Sequence, residues 1–374
     1  MISRKLQDVV NSHLFKGKAI IVVGPRQVGK TTLLTAIMKA NPSAVLHLNC
    51  DEYEVVDMLS DANVAKLRAI IGTNRLVVID EAQKVSNIGL TIKLIVDNIS
   101  GVQVIATGSS AFELHNKLNE PLTGRKYEYM MYPVSCAEIV ETFGLLEQRR
   151  TLENRLLYGS YPDIINHPDE ARGNLTDLVQ SYLYKDILAM GDLRRPELLD
   201  RLLKALAFQI GSEVSTSELA RTLQCDNKTI DKYIDLLEKC YVIFRLGGLS
   251  RNLRSELKRG RKIYFYDTGV RNAIIQQFSS VASRQDIGAL WENYFVAERL
   301  KRNHSCGYLC NSYFWRTTQQ QEIDLVEERD GKMTAFEMKW NANKKVHFPK
   351  PFLEAYDVAE AIAITPDNYL DYLL

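Results

Sequence analysis

The chain has no apolar run approaching the ~18–20 residues that span a bilayer, so a membrane partner is not expected. Its first residues, MISRKLQDVV, lack the apolar core of a signal peptide. It has no internal repeat and no low-complexity segment. It has no charge imbalance either: 47 Lys and Arg face 46 Asp and Glu, a net charge of +1. Bulk charge therefore gives no sign of nucleic acid, and any basic surface must be local. A disulfide framework is missing too. The six cysteines, Cys50, Cys136, Cys225, Cys240, Cys306 and Cys310, are scattered and mostly flanked by apolar residues, which suits reduced thiols in a cytoplasmic protein. His304, Cys306 and Cys310 offer three zinc ligands, but no fourth follows at regular spacing, and structural sites take four.

What is present is an ordinary globular composition, 46% hydrophobic and 25% charged, over 374 residues. That length suits two or three domains. Residues 1–150 alternate short apolar runs with helical patterns. The runs 18–24, 44–50, 75–80 and 101–108 suit strands buried on both faces, as in a parallel sheet covered by helices. Helices are expected at 32–41 and 88–99, which makes this part α/β. Residues 150–210 read mostly as helix. Residues 211–246 read as helix–turn–helix followed by a strand, with Ser215 and Glu218 at capping-box spacing and Asp226 as the second N-cap. Residues 263–374 return to mixed α/β, with a helix near 288–302 and strands near 311–316, 322–328, 333–339 and 360–364.

Gly24-Pro25-Arg26-Gln27-Val28-Gly29-Lys30-Thr31, followed by Thr32, fits G-x-x-x-x-G-K-[ST], between a buried strand and a helix. The glycines let backbone N–H groups cradle phosphate oxygens, and the helix N-terminus adds partial positive charge. Lys30 is expected to reach the β- and γ-phosphates of ATP, and Thr31 to ligate Mg²⁺. "LVVIDEAQ" supplies the second acidic site, with Asp80 on Mg²⁺ and Glu81 as general base. In "ATGSS", Ser109 or Ser110 is a candidate γ-phosphate sensor, and a simple turn is the alternative. In "LTGRKYEY", Arg125 reads either as a finger directed at a neighbouring subunit's γ-phosphate or as a surface arginine.

"GPRQVGKTTLL", "VVIDEAQK", "ATGSSAFEL", "LTGRKYEYMMYPVS", "GSYPDII" and "KIYFYDTGVRNAI" resemble a family of bacterial and archaeal AAA-type ATPases. The resemblance covers nearly the whole chain. It implies a winged helix and a C-terminal domain of unknown function resembling restriction endonucleases.

In such a winged helix the second helix, about 227–240, would be the DNA reader, with Asn227, Lys228, Thr229 and Lys232 as contacts. Asp231, Asp235 and Glu238 on the same helix are unfavourable beside phosphates. Over 245–262, Arg245, Arg251, Arg254, Lys258, Arg259, Arg261 and Lys262 face one acid, Glu256. Such a stretch can follow a phosphate backbone, and a solvated loop or an intramolecular lid are the alternatives. "QEIDLVEERDGKMTAFEMKW" places Asp324 thirteen residues before Glu337, with Lys339 two further on. In a hairpin these three share a face, the D…[DE]-x-K pattern of metal-dependent nucleases. The carboxylates would bind Mg²⁺ and Lys339 would act on the attacking water. Glu292 resembles the extra acid such folds bring from an early helix. An exposed hairpin face with a Glu–Lys pair is the alternative.

The expected architecture is therefore α/β in three parts: a P-loop NTPase domain over 1–190, a winged helix over 195–250 and a restriction-endonuclease-like domain over 263–374. Three functions fit it: an ATP-driven DNA-processing factor with nuclease activity, a non-cutting ATP-dependent DNA-binding switch, or an ATPase that regulates a protein partner. A homo-oligomer is expected if Arg125 acts in trans.

Overall fold

The computed structural model describes residues 2–42, 44–108, 121–180, 195–250 and 260–374. Contacts divide the chain into two compact units. One comprises Met1–Val134 with Lys239–Tyr241, and the other Ser135–Glu238 with Val242–Leu374.

The first unit is built on five strands: β1 (Ala19–Val23), β2 (Val45–Asn49), β3 (Leu76–Asp80), β4 (Gln103–Gly108) and β5 (Lys126–Met130). They lie in the order β2-β3-β4-β1-β5, and every pairing is parallel. β1, β3 and β4 are buried at every position, as their continuous apolar runs require of strands covered on both faces. The helix Ile88–Asn98 buries Ile88, Ile92 and Ile95, and they join Ile21, Val77, Ile79 and Val104 in one core. Each such side chain contributes roughly 1.5–3 kcal/mol by leaving water. β5 was not legible as a strand, because "KYEYM" is a partly exposed edge of mixed polarity.

The second unit carries β6 (Glu213–Val214), β7 (Ile243–Gly248), β8 (Arg261–Phe265), β9 (Asn311–Arg316), β10 (Glu322–Arg329), β11 (Lys332–Met338) and β12 (Val358–Ile364). They form one sheet, β12-β11-β10-β9-β7-β8-β6. Residues 195–250 and 263–374 thus contribute strands to the same sheet, joined where β7 pairs β9 in parallel. The helix Ile287–Ser305 packs Trp291 and Phe295 fully into the interior.

Two of the segments that marked the resemblance meet here. Asp267 of "YDTG" accepts the Ser160 N–H of "GSYPD" at 2.7 Å and caps the helix Thr268–Ile274 by accepting the Val270 N–H at 3.1 Å. Gly159 has φ +75°, and a Cβ there would lie 1.9 Å from Asp267 Oδ1, so only glycine lets the two segments close. These segments hold the unit together. Among the described residues no helix is long and apolar enough to cross a membrane.

Candidate functional site

The loop after β1 leads directly into the helix Lys30–Ala40, whose N-cap is Gly29 at φ 97°. Gly24 has φ +153°, and a Cβ there would stand 2.2 Å from the Met131 carbonyl oxygen, so backbone passes backbone where no side chain fits. Lys30 is buried and donates from Nζ to the Gly24 and Pro25 carbonyls, each at 2.8 Å. The ammonium is therefore already held over the loop. Val28 is buried, and its carbonyl accepts Arg4 Nη1 at 2.5 Å, while Arg4 Nη2 reaches the Tyr132 carbonyl at 2.6 Å. Arg26 and Gln27 are both exposed on the loop, and Gln27 takes a left-handed φ of 59°. Thr32 is exposed on the first turn of the helix.

Asp80 ends β3 and Thr31 is the second residue of the helix, and the Thr31 hydroxyl donates to Asp80 Oδ2 at 2.8 Å. The other carboxylate oxygen accepts the Thr107 hydroxyl. Thr107 is fully buried on β4 and was missed by sequence reasoning. Its signal was a polar residue ending an otherwise apolar strand. Glu81 follows in a left-handed conformation, φ 52°, and its N–H donates to Asp80 Oδ1 at 3.1 Å and Thr107 Oγ1 at 3.3 Å. Its side chain accepts Gln83 Nε2 at 2.5 Å. A hydroxyl and a carboxylate this close form an oxygen donor set of the kind that suits Mg²⁺.

Ser109 and Ser110 lie outside the described residues. Arg125 stands just before β5, whose first residue pairs with the first residue of β1, whereas the phosphate-type loop follows the last residue of β1. In a parallel pair those are opposite ends, so Arg125 is not part of its own chain's loop site. It pairs instead with Asp97 at 2.7 Å.

The helix Thr216–Leu223 is capped by Ser215, which accepts the Glu218 N–H at 3.3 Å. Asp226 likewise accepts the Thr229 N–H at 2.9 Å at the start of the helix Asn227–Lys239. The Thr229 hydroxyl also donates to Asp226, at 2.7 Å, so the expected outward contact is turned onto the chain itself. Asn227, Lys228 and Lys232 are exposed. The stretch 245–262 is corrected from a cationic loop at both its ends. Arg245 lies on β7 and pairs with Asp235 at 2.7 Å and with Glu238, while Arg261 on β8 lies 3.5 Å from Asp231. The acids that seemed unfavourable on the helix are the partners of these arginines. Arg251, Arg254, Lys258 and Arg259 lie outside the described residues.

In the hairpin of β10 and β11, Leu325 pairs Phe336 and Val326 pairs Ala335. The same register sets Asp324 opposite Glu337, and Lys339 follows on the same face. Asp324 Oδ2 accepts the Met338 N–H at 2.8 Å, and Lys339 Nζ donates to Glu337 Oε1 at 2.6 Å. Glu337 Oε2 is buried with no hydrogen-bond partner. Burial raises the pKa of both carboxyls. An open cleft of about 330 Å³ is lined by Glu292, Asp324, Met338, Lys339 and Trp340.

Glu292 is where the structure departs from expectation. Among the described residues no three His, Cys, Asp or Glu side chains are grouped to hold a metal ion. Glu292 Oε1 instead accepts Lys262 Nζ at 2.9 Å and the Tyr264 hydroxyl at 2.6 Å. Burial, then the neighbouring Asp324, push its carboxyl up to about 8 against the pull of Lys262 and Tyr264. The group that engages Glu292 is Lys262, which alternation with Tyr264 on a strand could have placed indoors, but which read as one of seven loop cations.

Residues 16–140 match a family described as an AAA domain. Residues 149–281 and 287–370 match two domains of unknown function, DUF8612 and DUF4143. The chain thus carries an AAA-type P-loop domain, of a class that binds and hydrolyses nucleotides, followed by a DUF4143 domain. An uncharacterized protein of Mycobacterium bovis is 28% identical over 334 residues, covering 87% of this chain and 71% of the relative. An uncharacterized protein of Methanocaldococcus jannaschii is 26% identical over 353 residues, covering 81% of this chain and 73% of the relative. Among solved structures, the Pif1 helicase from Candida albicans is 14% identical with a TM-score of 0.26. That alignment spans 48% of each chain.

Proposed function

We propose that the protein is an ATP-hydrolysing AAA-type ATPase that couples its nucleotide state to the second unit, which acts on DNA. The observation that carries the ATPase reading is the Thr31–Asp80 hydrogen bond at 2.8 Å, beside the Lys30 ammonium held on the loop carbonyls. The backbone from Gly24 to Thr32 cradles the phosphates, and Lys30 leaves its carbonyls for the β- and γ-phosphate oxygens. Thr31 and Asp80 would hold Mg²⁺, which when bound neutralises phosphate charge. Glu81 takes the proton of the attacking water as its oxygen bonds to the γ-phosphorus and the bond to the ADP oxygen breaks. Arg125 serves a neighbouring chain's site, consistent with its position at the far end of β5. Ser109 is the γ-phosphate sensor.

Among the described residues of 196–265, the element order helix, strand, helix, helix, strand, strand supports the winged-helix reading of 195–250. The helix Ile287–Ser305, the meander β9-β10-β11 and the parallel β12 support a nuclease-like reading of 263–374. There Asp324 and Glu337 would hold a divalent cation, and Lys339 would act on water. The unpartnered Glu337 Oε2 is the observation that favours it. A non-cutting switch, acting on DNA or on a protein, is the second reading. It is favoured by Arg245 and Arg261, whose charges are turned onto the helix's own acids.

The deciding experiment measures ATP turnover and DNA cleavage with and without Mg²⁺ or Mn²⁺, in wild type, Lys30→Ala and Glu81→Gln. Lys30→Ala is expected to lose turnover, and Glu81→Gln to keep ATP binding while losing ~10²–10⁴-fold in rate. Undiminished hydrolysis in both would overturn the ATPase reading. A steep salt dependence of DNA binding separates a DNA role from a protein-regulating one.

A further inference from the structure

Lys262 lies buried behind the acids of the C-terminal cleft, against Glu292 and Asp324. It is 1% exposed. Its Nζ lies 2.9 Å from Glu292 Oε1, 2.5 Å from Glu322 Oε1 and 3.8 Å from Asp324 Oδ1. Three elements bring these groups together. β8 supplies Lys262, the helix Ile287–Ser305 supplies Glu292, and β10 supplies Glu322 and Asp324, which share a face because they are two residues apart. Tyr264, two residues along β8 from Lys262, donates to the same Glu292 oxygen at 2.6 Å.

Carboxylates turned toward one point inside a protein need a positive charge there, and the cost of removing them from water is offset only when that charge is well placed. Two kinds of cation can serve: a divalent ion with oxygen ligands, or an ammonium on a stem long enough to reach. Here an ammonium stands among oxygens from two elements other than its own. The stem is fixed by strand pairing, since β8 is hydrogen-bonded on both sides, to β6 and to β7.

We propose that Lys262 is a built-in cation that occupies the position where a divalent ion shared by Glu292 and Asp324 would otherwise bind. Glu292 is then a partner of Lys262 and Tyr264 and never a metal ligand. Any ion in this cleft is confined to the Asp324–Glu337 side. The inference rests on the acid cleft described above but not on cleavage of DNA: it holds whether or not the cleft is catalytic. It also defines a latent site, because removing the ammonium leaves the same oxygens converging on a vacated point.

The test is a Mn²⁺ titration of the full chain without nucleotide, counting bound ions by the loss of free Mn²⁺ signal in electron paramagnetic resonance. Glu292→Gln is expected to bind as many ions as wild type. Lys262→Met is expected to gain an ion, and Lys262→Met with Glu292→Gln to lose it again. Loss of a bound ion in Glu292→Gln alone, or a cooperatively melting Lys262→Met that gains none, would overturn the proposal. If Lys262→Met folds only when Mn²⁺ is supplied, the proposal is supported. If it does not fold at all, the comparison of wild type with Glu292→Gln decides. Asp324→Asn reports separately on the Asp324–Glu337 side. An ion lost there but kept in Glu292→Gln supports the nuclease-like reading, and its absence sinks that reading without touching this one.

Discussion

Thr107 donates its hydroxyl to Asp80 across two neighbouring strands of the parallel sheet, while Thr31 holds the other oxygen of the same carboxylate at 2.8 Å. The acid is therefore aimed by groups from β4 and from the helix after β1. Thr107→Val keeps the shape and removes the donor. It leaves a buried carboxylate oxygen short of a partner, at a cost of ~1–3 kcal/mol. Turnover should fall roughly tenfold or more, the equivalent of ~1.4 kcal/mol in barrier, with ATP affinity little changed. Thr107→Ser should recover most of the loss. Steady-state kinetics beside a denaturant melt would check this, and an unchanged rate in the valine variant would refute it.

Gly24→Ala should abolish nucleotide binding more completely than Lys30→Ala. The added Cβ would meet the Met131 carbonyl oxygen at 2.2 Å, so the loop backbone must move away from the position that cradles phosphate. Saturating ATP stabilises a binding-competent fold by ~2.7 kcal/mol at about a hundred times Kd. That ligand-induced rise in Tm should vanish in Gly24→Ala. A normal rise would show that the loop has another way to close.

Arg125→Ala should bind ATP normally and hydrolyse it slowly, and the loss should be recovered in part by mixing with Lys30→Ala chains. The expectation follows from the placement of Arg125 at the end of β5 remote from its own loop, and a surface arginine held by Asp97 would show neither effect. A wild type that is monomeric at full activity would dismiss this role.

Asp286 should make the protein acid-labile in a defined window. Burial alone would raise its carboxyl, but hydrogen bonds from Arg284 at 2.8 Å and Arg271 at 2.6 Å outweigh that and bring it from 3.8 to about 2. A depressed acid contributes stability that is present above its unfolded value and lost as pH falls through the folded one. Part of the stability should therefore drain away between pH 4 and 2, less than the full shift implies because solvent screens a half-buried carboxylate. Asp286→Asn should be less stable at pH 7 and should lack that part of the acid slope. Parallel slopes for the two proteins in urea melts would contradict the assignment.

The parallel sheet of the first unit was legible because β1, β3 and β4 are apolar at nearly every position and are bounded by polar residues. Gly24 to Thr31 was legible because a phosphate cradle constrains residue type at fixed intervals. The hairpin of Asp324 and Glu337 was legible from alternation alone. β5 escaped because an edge strand needs no apolar run. Thr107 escaped because a single hydroxyl at a strand end has no spacing to betray it. Lys262 escaped for a different reason: a lysine is read as solvated unless its partners are known, and Glu292, Glu322 and Asp324 lie 30 to 62 positions further along the chain. Only the sheet and the helix Ile287–Ser305 packed on it bring them together.

The parallel pairing of β7 with β9 has a practical consequence for anyone who would divide this protein. Gly247 and Gly248 lie against Tyr313 and Phe314, so a cut after residue 250 would not separate two modules. It would take β7 away from β9 and β8, and β6 away from β8, and leave those strands with raw backbone edges, the feature that makes strands aggregate. Fragments ending there should be insoluble alone and recover solubility when produced together. Any piece in which that seam stays sewn must carry Gly247, Gly248, Tyr313 and Phe314 in one chain.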